Sequence, residues 1–356
     1  MIKIKNITPP YVSLEDVTYV PNDIATQQKK FQVHYGDILI ALTGSHINQM
    51  ASVVGRIAKV NFFDKALLNQ RVGKIYIVDD TSCNLDYVYY FLSQEKVKIE
   101  LASKAGGAAN QANISPTDVK NLQIPFPSKA IQDRIADILL AYDNLIENNQ
   151  KQIQLLEEAA RRLYKEWFVD LRFPGYETTP VVDGVPEGWQ RGTLKELIEV
   201  NYGKDHKSAP DDGEIPVYGS GGLMRKCNKS LYTGEAVLIP RKGSLNHIMY
   251  VNEAFWTVDT MFYATGKRDH VTLFVYFFVS SYDMYAMNIG AAVPSMTVKI
   301  LDGMSFLIPG DDILKNFEDI AKIYFQKIDI LNRQNESLAE ARNRLLPKLM
   351  SGELEV

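Results

Sequence analysis

Two long stretches of the chain carry apolar side chains three and four residues apart. Residues 131–168 contain neither proline nor glycine, and residues 313–350 repeat their apolar pattern. Such spacing places the apolar side chains on one face of an α-helix, so both stretches are predicted to be long amphipathic helices. At ~1.5 Å per residue the first would be a rod of roughly 57 Å, which is longer than a small domain is wide.

A single apolar face on a helix of this length needs a partner, and each long helix can cover the other. We expect the two helices to pack antiparallel as a coiled coil, with Asn149 and Asn335 as polar positions that fix the register. The predicted packing positions are Ile135, Ile138, Tyr142, Leu145, Asn149, Ile153, Leu156, Leu163, Ile320, Tyr324, Ile328, Leu331, Asn335, Leu338 and Leu345.

Shorter apolar runs, bounded by turn residues, precede each long helix and predict β-strands. The predicted strands cover 38–41, 51–60, 72–78, 237–240 and 248–251. An aromatic-rich helix follows in each half, at 85–102 and 271–287, and a last strand then ends at Pro125 or Pro309. The fold class expected from this order is mixed α/β.

The two halves of the chain are one unit written twice. Residues 36–40 are echoed by 234–238, and residues 88–93 by 275–280. The order is kept while the offset falls from 198 to 182 residues, as insertions in surface loops would produce. We therefore expect two similar domains, related by a pseudo-two-fold axis and held apart by the helix pair.

This repeat predicts a domain organisation with one departure from symmetry. The predicted parts are a first domain at 1–130, a long helix at 131–168, a linker at 169–188, a second domain at 189–312, a long helix at 313–350 and a tail at 351–356. The first domain lacks a counterpart of Gly188-Trp189 and of the strand after it. We therefore expect the first domain to be shortened at its front.

Composition narrows the class of protein. The chain has 356 residues, 46% of them hydrophobic, and its most apolar run, 271–279, is roughly half the ~20 residues that a membrane span needs. We expect a soluble, cytoplasmic protein that does not bind a membrane. Cys83 and Cys227 lie at neither disulfide nor metal-site spacing, so we expect no metal site.

The motifs that could carry catalysis are weak. Thr8-Pro9-Pro10-Tyr11 is similar to the Asp/Asn-Pro-Pro-Tyr loop of amino-methyltransferases, but threonine is a poor acceptor there and no cofactor-binding strand and glycine turn accompany it. The glycines of 218–222 lack the GxxxxGK[ST] pattern and predict a tight loop. The carboxylates of 211–214 lie in a turn-rich segment, where solvation or capping is the usual role. No catalytic residue is expected.

Polar and basic residues follow the early strands of both units. Arg, Lys, Asn and Gln read base edges or hold phosphates, although solvated loop charge is the alternative for any one of them. The net charge of −4 argues mildly against nucleic acid but permits a local basic face. The candidate DNA-binding residues are Thr43, Ser45, His46, Asn48, Gln49, Lys204, Lys207, Arg225, Lys226, Lys229, Arg241, Lys242, Ser244 and Asn246.

Three longer motifs carry a family resemblance. Residues 163–175 read LYKEWFVDLRFPG, residues 184–189 read GVPEGW, and residues 345–354 read LLPKLMSGEL. They closely resemble the specificity subunit of type I restriction-modification enzymes, and IPVYGSGG at 215–222 resembles the opening of one class of its target recognition domains.

The resemblance implies a function for both domains and both helices. Each target recognition domain would read one half of a split, asymmetric site in double-stranded DNA, and the helix pair would act as a molecular ruler. The helices would also dock two methyltransferase subunits, which bind S-adenosylmethionine and methylate adenine. Restriction subunits that use ATP and Mg would join for cleavage, so this chain itself would need no cofactor.

Two other classes of function remain open from the residues alone. A non-catalytic coiled-coil scaffold, similar to an assembly or anti-restriction factor, would share the helices without reading DNA. A self-contained methyltransferase or nuclease is the remote alternative.

Overall fold

The computed structural model describes residues 1–44, 53–106, 112–287 and 295–356, which form two compact units. Unit 1 consists of Met1–Asn149 together with Arg333–Val356, and unit 2 is Gln150–Asn332. Both boundaries fall inside long helices. Each long helix therefore contributes residues to both units.

Unit 1 is built on a five-stranded sheet with two-stranded additions. Its strands are β1 (Ile7–Thr8), β2 (Tyr11–Val12), β3 (Gln32–Val33), β4 (Ile38–Ala41), β5 (Thr43–Gly44), β6 (Ile57–Lys59), β7 (Ala66–Leu67), β8 (Val72–Ile75) and β9 (Ala112–Asn113). The large sheet has the order β1-β2-β6-β4-β8, with β4 antiparallel to both neighbours. All four residues of β4 are buried because both faces of the sheet are covered, which explains their uninterrupted apolar run.

The helices of unit 1 are α1 (Asn22–Gln27), α2 (Leu85–Ser93), α3 (Glu95–Ser103) and α4 (Pro116–Lys120). Of these, α2 and α3 cover one face of the five-stranded sheet, where their residues pack with Ile38 and Ile40. The single helix expected at 85–102 is two helices, because Gln94 takes an extended conformation and its side chain donates to the carbonyl of Phe91 at 3.1 Å. The side chain of Asn84 caps α2 by accepting from the backbone N–H of Tyr87.

Unit 2 is built on a larger sheet of six strands. Its strands are β10 (Val181–Val182), β11 (Val185–Pro186), β12 (Gln190–Thr193), β13 (Ile198–Tyr202), β14 (Ile215–Gly219), β15 (Gly222–Cys227), β16 (Tyr232–Pro240), β17 (Met249–Thr257), β18 (Met261–Gly266) and β19 (Ser305–Ile308). The six-stranded sheet has the order β13-β18-β16-β17-β14-β15. The sequence predicted only part of each of the two longest strands, 237–240 of β16 and 248–251 at the start of β17.

One long helix precedes the sheet of unit 2 in the chain, and the other follows it. Helix α5 (Lys129–Tyr164) continues into a π-helical turn at Lys165–Val169, and unit 2 then contains α6 (Leu194–Leu197), α7 (Thr272–Ser280) and α8 (Val298–Asp302). Helix α9 is Asp311–Ser351 and includes Pro347 near its end. Helix α7 ends seven residues before the predicted end at 287. Both long helices begin and end within five residues of the predicted bounds, 131–168 and 313–350.

The two sheets share a core topology. In unit 1, β2 is parallel to β6, which is antiparallel to β4, which is antiparallel to β8. In unit 2, β14, β17, β16 and β18 repeat this order and these directions. One predicted strand fails, because the segment ending at Pro125 forms no strand, whereas its counterpart β19 pairs with β12. A counterpart of β12 is absent from the described part of unit 1, so that segment has no strand to pair with.

Candidate nucleic-acid interface

Most candidate residues of unit 2 lie on the loops after β13 and β16, whereas Arg225 and Lys226, which were expected in a loop, lie in strand β15. The loop after β16 holds four of the candidates. Residues 241–247 begin with Arg241 and Lys242, whose backbone N–H groups both donate to the carbonyl of Thr260, at 2.8 and 3.2 Å. Leu245 is fully buried and anchors the loop in the core. The exposed side chains of Lys242 and Ser244 are therefore presented from a fixed backbone.

Hydrogen bonds to residues 283–285 hold this loop in place. Asn246 donates to the carboxylate of Asp283 at 3.0 Å and accepts from the backbone N–H of Met284 at 2.7 Å. The hydroxyl of Tyr285 donates to the carbonyl of Gly243 at 2.7 Å. The hydrogen bonds from Asn246 and from the backbone of Tyr285 lower the pKa of Asp283, which keeps the carboxylate ionised. Asn246 therefore fixes the shape of the loop.

The turn between β14 and β15 packs against the same loop. Gly243 has a φ of +84°, and a Cβ there would lie 2.4 Å from Oγ of Ser220. The backbone conformation favours glycine here, and any other side chain would also push Ser220 aside. Nδ1 of His247 lies 3.0 Å from the carbonyl oxygen of Ser220. The tight loop that the sequence predicted at 218–222 is this hairpin turn, and it supports the loop at 241–247.

The third loop follows β13 and contains two exposed lysines. The backbone N–H of Lys204 donates to Thr257 at 2.9 Å, and its carbonyl accepts from Nε1 of Trp256 at 3.0 Å. The side chain of Asp205 caps a short 3₁₀ turn by accepting from the N–H of Lys207 at 3.0 Å. The guanidinium of Arg241 lies 5.5 Å from the ring centre of Tyr202, which joins this loop to the first.

Not every candidate cation in unit 2 is available to a ligand. Arg225 donates to the carbonyls of His206 and Ala209 and pairs with Asp211, so its guanidinium holds the third loop in shape. Lys226 pairs with Glu214. These contacts argue against direct DNA contact by Arg225, and they give Asp211 and Glu214 of the acidic segment Arg225 and Lys226 as partners. Lys229 is exposed beyond the end of β15.

Of the candidate DNA-binding residues in unit 1, only Thr43 lies in the described part of the chain. Thr43 is buried, and its hydroxyl donates to the side-chain oxygen of Asn113 at 2.7 Å, so the expectation of a DNA-facing side chain is not supported for this residue. Four further predicted positions, Ser45, His46, Asn48 and Gln49, lie outside the described residues. Thr8-Pro9-Pro10-Tyr11 forms the turn between β1 and β2, in which Thr8 donates to the carbonyl of Tyr11 at 2.9 Å.

Most of the predicted packing positions on the long helices are buried or half-buried. In unit 1, Asn149 donates to Asn335 at 3.0 Å and Arg342 pairs with the nearly buried Asp143. The predicted packing residues that are buried are Ile135, Asn149, Ile328 and Leu331, and those that are half-buried are Ile138, Tyr142, Ile153, Leu156, Leu163, Ile320, Tyr324, Asn335, Leu338 and Leu345. Leu145 is 51% exposed and does not join them.

Other classes of site find no geometric support in the described residues. Across residues 1–44, 53–106, 112–287 and 295–356, no group of three or more His, Cys, Asp and Glu side chains is placed to hold a metal ion. Within the same residues, no helix has the length and apolar composition that crossing a membrane would require.

Comparison with known proteins decides the family. Residues 3–158 and 186–340 each match the family model of the type I restriction modification DNA specificity domain. The chain belongs to this family. The resemblance predicted from the three motifs is therefore confirmed, and DNA recognition is the role that the family implies for this specificity subunit. Specificity subunits are non-catalytic and carry no cofactor of their own.

Individual relatives agree with this assignment. The type I restriction enzyme MjaIX specificity subunit of Methanocaldococcus jannaschii is 24% identical over 312 residues, which cover 76% of this chain and 69% of that protein. The putative MjaX specificity subunit of the same organism is 23% identical and aligns with 99% of this chain and 87% of its own length. The crystal structure of an S subunit from M. genitalium shares the fold, with a TM-score of 0.61, 20% identity and coverage of 98% and 91%.

Proposed function

We propose that this specificity subunit reads a bipartite, asymmetric DNA site, one half with each target recognition domain. The observation that carries the proposal is the double match to one DNA specificity domain within a single chain. The two domains share a sheet topology but differ in their loops, and loops determine which bases are read. Two different half-sites are the consequence.

The two long helices would form an antiparallel coiled coil that sets the distance between the half-sites. Contacts between the helices support this in each unit: Asn149 with Asn335 in unit 1, and Tyr164 with Phe317 in unit 2. In both pairs a residue of α5 meets one of α9, and the position on α9 falls as the position on α5 rises. A helix of 36 residues is ~54 Å long. A pseudo-two-fold relation between the domains belongs to the same proposal.

In the second domain, the loops at 203–207 and 241–247 would make the DNA contacts. Lys204, Lys207, Lys242 and Ser244 are exposed on backbones fixed by hydrogen bonds, and Arg241 joins the two loops through Tyr202. Lysines of this kind neutralise phosphates, and arginine can bind a guanine edge with two hydrogen bonds. Ser45, His46, Asn48 and Gln49 stay predicted contacts for the first domain.

The proposed partners are those that the family resemblance implies. The helices would dock two methyltransferase subunits, which bring S-adenosylmethionine, and restriction subunits, which bring ATP and Mg, would join the complex in the cytoplasm. Because this chain has a net charge of −4, the partner subunits would supply part of the positive charge that binds the DNA phosphates.

Methylation mapping tests the proposal most directly. The gene would be expressed with its methyltransferase in a host, and adenine methylation would be mapped by long-read sequencing with and without it. One bipartite adenine motif should appear only when the gene is present. If the complex assembles and no motif depends on this chain, the scaffold function replaces DNA recognition.

A paired substitution tests the proposed loops. Replacing Lys242 with alanine should weaken DNA binding by the assembled complex and lower the slope of log affinity against log salt by about one, because one phosphate contact is lost. Lys315→Ala is the matched control, since Lys315 is an exposed lysine on α9 paired with Asp319. Equal effects of both substitutions would remove Lys242 from the interface.

A further inference from the structure

Two exposed aromatic rings of unit 1 stack on each other. The rings of Tyr35 and Phe63 are nearly parallel, with centres 4.6 Å apart and an angle of 4° between their planes. The two side chains are 57% and 86% exposed. Since Tyr35 covers one face of the Phe63 ring, the other face is open to a ligand. Large apolar side chains gathered at one exposed place mark a binding surface more often than scattered ones do.

The backbone holds this aromatic pair in a fixed position. Tyr35 lies in the turn before β4, in which Gly36 has a φ of +85°, a conformation that glycine adopts readily. The N–H of Gly36 donates to the carbonyl of Val60 at 2.8 Å, and the N–H of Val60 donates to the carbonyl of Asp37 at 2.9 Å. The turn is therefore bonded to the segment that leads from β6 to Phe63.

A cavity with two available cations lies beside the aromatic pair. Its volume is about 550 Å³, and both rings line it together with Lys29 and Lys65. Within the described part of the chain, neither lysine has an ion pair or a side-chain hydrogen bond, and the lining carries one carboxylate, Asp64. Both ammonium groups can therefore bind an anionic ligand without first breaking a contact.

We propose that Phe63, supported from behind by Tyr35, is a stacking platform for an unpaired base of single-stranded DNA, and that Lys29 and Lys65 bind the neighbouring phosphates. A base stacks on an aromatic ring through its flat face, and a positively charged groove beside the ring holds the backbone. Bases inside a duplex are already stacked on each other, so the platform selects opened DNA. An acidic peptide without aromatic residues would use the lysines alone.

The platform is separate from the loop predicted to read a half-site in the same domain. Tyr35 precedes β4, whereas Thr43, the first of the predicted contacts, follows it. The two therefore lie at opposite ends of this strand. Single-strand binding does not depend on half-site reading, so either proposal can fail while the other stands.

Anisotropy of a labelled oligonucleotide tests the proposal. A fluorescent oligothymidylate of about 12 nucleotides would be added to the full chain. We expect saturable binding, competed more strongly by the unlabelled single strand than by a duplex of the same length. Phe63→Ala should weaken binding at least about fivefold, because one base loses its stacking partner, and Phe63→Trp should retain it. Lys65→Gln should lower the slope of log affinity against log salt by about 0.7, the value for one phosphate contact with a single strand.

An exposed tyrosine elsewhere in unit 1 gives the matched control. Tyr76 is 73% exposed and lines a different cavity, so Tyr76→Ala should leave oligonucleotide binding unchanged. Absence of saturable binding up to about 1 mM strand, equal losses for Phe63→Ala and Tyr76→Ala, or equal competition by the duplex would overturn the proposal. So would a methylated motif that changes in the assembled complex carrying Phe63→Ala, since Phe63 would then belong to half-site reading.

Discussion

The two units hold the long helices with different chemistry. In unit 1, buried Gln132 of α5 bonds to the backbone of Ser82, Asn84 and Pro127, and Asp143 accepts from Tyr90 at 2.6 Å while pairing with Arg342. In unit 2, an aromatic cluster performs the same task. The cluster consists of Tyr164, Trp167, Phe168, Phe274, Phe277 and Phe317.

The difference teaches how a duplicated domain can diverge without losing its fold. A buried polar contact is costly when one partner is lost, because the other is left without a hydrogen bond, whereas aromatic packing stabilises chiefly through a large buried apolar area. Burial, followed by the hydrogen bond to Asp143, raises the pKa of Tyr90, so this tyrosine stays neutral as the donor. The two units therefore share a sheet topology, but different substitutions should weaken their contacts with the long helices.

The largest effect is expected from the aromatic cluster. Phe317 is fully buried and packs on Phe168 with ring centres 4.9 Å apart. Phe317→Ala should lower the free energy of unfolding by about 4 kcal/mol, because a large cavity opens in the core. Urea unfolding gives the magnitude, and hydrogen exchange should quicken first in β16. Faster exchange in β4 instead would contradict the separation of the two units.

A smaller loss is expected when the ion pair of unit 1 is broken. Arg342→Ala leaves Asp143 nearly buried and without its cation, which should cost about 3 kcal/mol. Arg344→Ala is the matched control, because Arg344 pairs with Glu340 on the exposed face of the same helix. The prediction fails if urea unfolding gives the same small loss for both arginines.

The clamp at the start of α5 should contribute less. Gln132→Ala removes three hydrogen bonds, two of them donated to carbonyls, and should cost about 2 kcal/mol. Hydrogen exchange should quicken at the N-terminus of α5 and leave unit 2 unchanged. Gln152→Ala, at a half-buried position further along α5, serves as the comparison. A loss no greater than that of Gln152→Ala would show that the clamp is dispensable.

The smallest effect is expected at the asparagine pair. Asn149→Ala and Asn335→Ala should each cost about 1 kcal/mol, and the double variant less than their sum, because the two amides bond to each other. Urea unfolding of the three variants gives the coupling energy. A sum that is simply additive would show that the 3.0 Å contact contributes no specific energy.

How much could be predicted from the sequence depends on where the determining contacts lie. The long helices, β4 and the turn at 218–222 are specified by local periodicity and glycine, and all were predicted. The break at Gln94 and the absent strand before Pro125 depend on tertiary pairing, which a local pattern does not contain. The motif at 163–175 indicated the family, and its Tyr164, Trp167 and Phe168 belong to the aromatic cluster of unit 2.

The candidate nucleic-acid interface was likewise predicted only where its residues carry a local sequence signal. The sequence located the loop at 241–247 because its polar and basic residues follow a predicted strand. It did not separate exposed Lys242 from Arg225, whose partners Ala209 and Asp211 are 14 to 16 residues distant. Residues such as Tyr202, Ser220 and Tyr285, which shape the loops, carry no local signal and are found only through their contacts.

The split composition of unit 1 has a consequence for synthesis on the ribosome. Leu349 and Met350 belong to the core of unit 1, so that core cannot be completed until nearly all of the 356 residues have been translated. Unit 2 is a single continuous segment and can close earlier. The domain encoded first is therefore the one finished last, and until then part of its apolar surface stays uncovered and open to aggregation.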